Sequence, residues 1–292
     1  MTKAPTIKTR KLRMEDVIDL QRLCIRLERT VSVLPGPVDG STLSKLTESG
    51  FDQAPVYDSS THTYWGLVET SHLRSLFESG KPLRSDDPII GDKSREFHVG
   101  SIVTIFGLLE KMTTQRAVIV VQDSDDTEYG HGERILGLFT ISDLNRHAIR
   151  SAIYQLLADV EAGLAKWLEF SVADPWEWLK KLEEDQQARV IGFWELSKRQ
   201  GVDVGPYAAL TLSQLVNIIA RLEGGAVQLG YESRTQFERA KGPLPNLRNR
   251  VMHPVRPLVL THADVASVSG SVLILEDLRE KIEALLAKDR VV

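Results

Sequence analysis

At Arg146 the apolar pattern of this chain changes period, and it does not change back. Upstream, short apolar runs alternate with polar turns and brief stretches of three-and-four spacing, the mixture expected where strands and helices interleave. Downstream, Ile149, Ile153, Leu156, Leu157, Val160, Leu164, Trp167 and Leu168 recur every three or four residues, and comparable faces follow to the end. Such a chain divides into a mixed part and an all-helical part. With 292 residues, each is long enough to bury a core without disulfides or metals. The expected division is residues 1–30 as a basic arm and an N-terminal amphipathic helix, residues 31–150 as an α+β region, and residues 151–292 as an all-α bundle.

Cys24 is the single cysteine, which excludes an internal disulfide and a multi-cysteine zinc site, and its apolar neighbours predict a buried thiol. His98, His131, His147 and His262 show no metal-ligand spacing, so no metal and no required cofactor are expected. No stretch approaches the roughly 18 uninterrupted apolar residues that span a bilayer. The start is basic and carries no apolar signal segment, so the cytoplasm is the expected location and a membrane is not an expected partner. A net charge of -4 argues against binding nucleic acid over the whole surface. From Tyr231 to Arg256, however, six basic residues face two acidic ones, and a polyanion can be held there.

The mixed region repeats itself. Ser41–Gly50 reads as a helix, Ala54–Asp58 and Thr63–Val68 as two strands, and Thr70–Leu76 as a second helix. About seventy residues later Val103–Met112, Arg116–Val121, Ile135–Thr140 and Ile141–Arg146 return in the same order. Ahead of them, Met14, Val17, Ile18, Gln21, Cys24, Ile25 and Leu27 follow the spacing of one amphipathic helix. The acidic run Asp123–Glu128 lacks the twelve-residue calcium pattern and reads as a solvated hairpin loop.

On Gly137-Leu138-Phe139-Thr140-Ile141-Ser142-Asp143, residues 31–80 and 97–150 resemble a tandem pair of CBS domains, modules that commonly bind adenosine-type nucleotides. The resemblance implies an adenine nucleotide as regulatory ligand. It would be held by Gly137, Thr140 and Asp143, with the Thr140 hydroxyl on phosphate and the Asp143 carboxylate on the ribose hydroxyls. The first copy departs from the pattern: Glu69 stands at the hydroxyl position and His72 at that of the aspartate. A carboxylate there repels phosphate, so one competent site at most is expected; the alternative is that both copies serve only as scaffolds.

In the helical half, Asp174-Pro175 and Thr211 are helix starts, and the apolar face from Trp176 to Leu196 belongs to the next helix. Four of the five tryptophans lie here and read as bundle core or dimer interface. Pro245 or Asn246 starts a short helix that Pro254 limits, which puts His253 at its end, with Asn249 four residues before it on the same face. Leu247-Arg248-Asn249-Arg250-Val251-Met252-His253-Pro254 resembles the motif of the HEPN family, helical domains that dimerise and in many members cut RNA without a metal.

That resemblance implies a homodimer acting on RNA, with Arg248, Asn249 and His253 as catalytic residues. Metal-free RNA cleavage needs a base for the 2′-hydroxyl, an acid for the leaving oxygen and positive charge on the phosphorane. Histidine serves the first two and the Arg248 fork the third. Arg250 and Arg256 would hold neighbouring phosphates, and Glu195 and Asn217 are candidates for an assisting residue from another helix. The expected protein is a nucleotide-responsive, metal-independent endoribonuclease or toxin-like RNA-cleaving effector; the alternative is a non-catalytic sensor whose helical domain binds RNA or a protein partner.

Overall fold

The computed structural model describes residues 13, 16–58, 60, 61, 63–87, 90, 98–123 and 133–288. Residues 1–12, which hold most of the expected basic arm, and 124–132, which hold the acidic turn and His131, lie outside them. The chain is α+β and forms two compact units, Val17–Arg146 and Met1–Asp16 with His147–Val292.

The first unit runs β1 (Val17–Asp19), α1 (Gly40–Glu48), β2 (Gln53–Asp58), β3 (Thr63–Glu69), α2 (Thr70–Ser79), β4 (His98–Gly100), β5 (Ile102–Thr104), α3 (Ile105–Thr114), β6 (Ala117–Asp123) and β7 (Glu133–Thr140). The internal repeat extends to single ladder positions. Val33 bridges Val56 in parallel, Val56 pairs with Gly66, and the register then slips so that Tyr57 faces Tyr64. In the second copy Val99 lies parallel to Val120, Val120 pairs with Gly137, and the register slips so that Val121 faces Ile135. Each hairpin therefore bulges beside a glycine, where a strand can bend without a side chain in the way.

Alternation along these strands separates two cores. Val56 and Val68 face the core of the first repeat with Leu46, Ala54 and Leu73. Their neighbours Tyr57 and Leu67 turn to the opposite face and pack on Ala117, Ile119, Val121 and Leu138 of the second hairpin, with Leu27 between.

Among the described residues, the N-terminal helix expected from Met14 onward does not form. Val17 to Asp19 pair antiparallel with Ile102 to Thr104, short 3-10 turns cover Leu20–Arg22 and Leu27–Arg29, and Ile25 bridges Leu138. Val17 and Ile18 are β-branched and find a ladder partner, and tertiary pairing overrides a weak helical spacing. Residues 17–30 thus join the mixed unit instead of standing apart from it. Cys24 is half-buried, not buried. The closing helix of the second repeat is a 3-10 turn, Ile141–Asn145, and Arg146 is extended at φ -63° and ψ 148°. The chain is therefore not helical at Arg146, and the next helix starts at His147.

The helical unit comprises α4 (His147–Ser171), α5 (Pro175–Leu179), α6 (Glu184–Arg199), α7 (Leu212–Arg221), α8 (Gly225–Gln228), α9 (Arg234–Lys241), α10 (Leu244–Met252) and α11 (His262–Lys288). Asp174 caps α5 through its carboxylate, with Pro175 in the first turn, and Thr211 caps α7 in a reciprocal box with Gln214. The face expected to run from Trp176 to Leu196 in one helix is split between α5 and α6. Helices α4 and α11 pack along each other closely enough that a Cβ on Gly163 would meet Ile282 Cγ2 at 2.8 Å. Asp16 joins this unit through a buried bidentate pair with Arg279, at 2.9 and 2.5 Å. Trp167 and Trp178 are core, whereas Trp176 is 47% exposed. Among the described residues no helix is long and apolar enough to cross a membrane.

Candidate functional site

In the mixed unit a cleft of about 280 Å³ opens between the two repeats. Gly50 to Gln53 and Pro55 come from the first repeat; Arg116, Ala117, Leu138 and Thr140 to Asp143 come from the second; Ile25 and Arg29 to Val31 close one side. The surface it exposes is mainly apolar, with polar and charged side chains from both repeats among it, the composition of a small-molecule site.

The strand β7 ends at Thr140 because Asp143 folds back on it: the carboxylate accepts from the Thr140 N–H at 2.9 Å and from its hydroxyl at 2.9 Å. Such local bonds compete with a continuing helix and stop the chain in a tight turn. The other carboxylate oxygen accepts from Arg146 Nε at 2.8 Å and Nη2 at 2.7 Å. Asp143 lines the cleft and is buried, with its acceptor positions taken by Thr140 and Arg146. A ribose can be accepted only where Arg146 withdraws.

Gly137 does not line the cleft. It packs beneath the segment that holds Cys24 and Ile25, where a Cβ would lie 2.4 Å from the Ile25 carbonyl oxygen and 2.9 Å from Cys24 Sγ. Its smallness permits the paired hydrogen bonds between Ile25 and Leu138, both 2.8 Å. Gly137 therefore acts as a point of close backbone approach, in place of the nucleotide contact expected for it. Burial raises the pKa of the Cys24 thiol beside it.

In the first repeat Glu69 precedes α2 without capping it and accepts from the Ser71 hydroxyl, while Thr70 donates to the Phe51 carbonyl at 2.6 Å. A second pocket, about 360 Å³, lies there between Glu69, Ser71, Arg74 and Arg116. The residues that sequence reasoning passed over are arginines. Arg29 and Arg116 line the cleft, and Arg22, Arg26, Arg29 and Arg146 line a neighbouring pocket of about 660 Å³. Arg22, Arg26 and Arg29 follow three-and-four spacing, which reads as the polar face of a helix once a helix is assumed.

In the helical unit, Leu244, Leu247 and Val251 anchor α10 at a spacing of three and four, and His253 is its C-cap, its N–H donating to the Asn249 carbonyl at 3.2 Å. Asn249 and His253 are exposed on the same face, and Arg248 is half-buried. Arg250 is not free for phosphate: its Nη1 donates to Asp264 at 2.9 Å and to the Leu258 carbonyl at 3.3 Å. Arg256 is exposed. The loop that follows α10 is fixed by Arg150 of α4, a buried side chain that sequence reasoning missed, which donates to the carbonyls of Arg250 and Arg256.

The two helper candidates are engaged elsewhere. Asn217 accepts from Lys241 Nζ at 2.6 Å, and Glu195 pairs with Lys198 at 3.7 Å. Around His253 the apolar side chains of Met252, Val255 and Leu260 stand out, 43%, 92% and 76% exposed. No group of three or more His, Cys, Asp and Glu able to hold a metal occurs among the described residues.

No family model and no curated protein matches the chain. Among solved structures it is similar to the CBS domain of a bacterial CNNM/CorC family Mg2+ transporter in complex with ATP, at 16% identity over 46% of this chain and 87% of that one, with a TM-score of 0.29. A superposition that loose leaves the nucleotide question to the chain's own residues.

Proposed function

We propose that this chain is a nucleotide-responsive regulator: a CBS-type pair, Val17–Arg146, that holds an adenine nucleotide between its repeats and controls a HEPN-like helical unit acting on RNA. The observation that carries the nucleotide reading is the cleft between two matching hairpins, with Thr140 and Asp143 in its lining. The exposed pair Asn249 and His253 at an open helix end supports the RNA reading, with Arg248 beside it. One chain supplies one histidine to this motif, so a homodimer would furnish base and acid together, and the apolar rim of Met252, Val255 and Leu260 suits such a pairing.

The non-catalytic alternative has an observation of its own. Arg250 and Asn217 are committed to internal hydrogen bonds, which suits a surface that binds RNA or a protein without cutting. Incubation of the purified full chain with RNA in EDTA separates the two. The nuclease reading expects cleavage, and its loss in His253→Ala with an unchanged melting temperature. RNA that stays intact with and without adenine nucleotides refutes cleavage and leaves the binding role.

A further inference from the structure

Beside the nucleoside cleft, and sharing Ile25 and Arg29 with it, lies the larger pocket whose lining includes Arg22, Arg26, Arg29 and Arg146. Four guanidinium groups meet one carboxylate there, that of Asp19, which pairs with Arg22 at 3.3 Å and also accepts from the Gln21 N–H. Arg26 and Arg29 are exposed, and their guanidinium groups have no carboxylate partner among the described residues. Unpaired arginines gathered at one pocket repel one another, and what relieves that repulsion is a polyanion with several acceptor oxygens. Once Arg146 turns from Asp143 to the ligand, the four guanidinium groups against Asp19 alone exceed the about two negative charges that a single phosphate brings.

The pockets are also joined chemically through Arg146. This side chain lines the arginine pocket while its Nε and Nη2 occupy one carboxylate oxygen of Asp143, a residue that lines the nucleoside cleft. A phosphate chain that draws Arg146 toward itself frees that carboxylate oxygen for the ribose hydroxyls. Occupation of one pocket by phosphate thus prepares the other for the sugar.

We infer that the preferred ligand is a nucleoside polyphosphate, its nucleoside in the cleft of Thr140 and Asp143 and its phosphate chain among Arg22, Arg26, Arg29 and Arg146. This rests on the reading of that cleft as a nucleotide site. Arg22 and Arg26 lie outside the cleft lining, so they contribute to phosphate length and not to the nucleoside. Arg146 has a two-sided effect: its removal weakens the hold on the phosphate chain and relieves Asp143.

Calorimetry on the full chain in metal-free buffer, with adenosine, AMP, ATP and inorganic triphosphate as probes, tests this. ATP is expected to bind about tenfold or more tighter than AMP. The double variant Arg22→Ala/Arg26→Ala, whose exposed sites leave the fold intact, should remove most of that difference while the AMP affinity stays within about twofold. Arg146→Gln should narrow the ratio from both ends, weakening ATP and tightening AMP. Equal affinities for AMP and ATP, or a ratio untouched by the double variant, overturn the polyphosphate inference and leave the cleft reading standing. Triphosphate binding with no binding of any nucleoside or nucleotide overturns the cleft reading, and the nucleoside polyphosphate with it.

Discussion

A methyl group at position 137 has nowhere to go. It would sit 2.4 Å from the Ile25 carbonyl oxygen, which accepts from the Leu138 N–H while the Ile25 N–H donates back to the Leu138 carbonyl. Gly137→Ala should therefore destabilise the mixed unit by about 1–3 kcal/mol, the usual cost of overpacking, and lower affinity for any ligand of the adjoining cleft. Gly192 is its control: it lies within α6 with open space around its Cβ position, so Gly192→Ala should stabilise by up to about 1 kcal/mol. Paired urea titrations check both, and a neutral Gly137→Ala rejects the close-approach role.

A pH dependence resides at Asp264. Backbone N–H groups of Thr261 and Leu260, with Arg250 behind them, hold its pKa at about 2, below its ordinary 3.8. A carboxyl group depressed in the folded state contributes stability that is fully present above the ordinary value and is lost as the pH falls toward about 2. The stability gap between the wild type and Asp264→Asn should accordingly be constant near neutrality and shrink between about pH 4 and about pH 2. A gap that stays flat across that window excludes the Asp264 clamp on the loop after α10.

At the scale of elements, local chemistry was readable wherever it was self-contained. The two hairpins, the Asp174 and Thr211 caps and the end of α10 at His253 follow from alternation, hydroxyl or carboxylate caps and the proline that comes next. Thr211→Ala should cost α7 about 1 kcal/mol, seen as a lower melting temperature; an unchanged one means that packing alone sets this helix start. What was not readable depends on distant partners. Val17 and Ile18 become a strand only because Ile102 to Thr104 lies alongside, and Arg146 is extended because Asp143 draws its side chain. The site was legible to the same degree. Thr140, Asp143, Asn249 and His253 carry local motifs, whereas Arg26, Arg29, Arg116 and Arg150 gain meaning from residues remote in sequence.

For the whole molecule, control of one unit by the other is a coupling free energy, about 1–3 kcal/mol where a ligand at one site alters another. The distribution of tryptophans makes it measurable. Trp65 is the one tryptophan of Val17–Arg146, while Trp167, Trp176, Trp178 and Trp194 belong to the helical unit. In a Trp65→Phe chain, tryptophan emission follows the unfolding of the helical unit alone. ATP at about 100 times its dissociation constant stabilises the unit that binds it by about 2.7 kcal/mol. Independent units would confine that gain to the mixed part and leave the emission transition where it was. A regulator must pass some of it on, so the emission midpoint in denaturant should rise with ATP and fail to rise in Arg22→Ala/Arg26→Ala. A midpoint that stays fixed while calorimetry records ATP bound means that the nucleotide does not govern the helical unit, whatever that unit does to RNA.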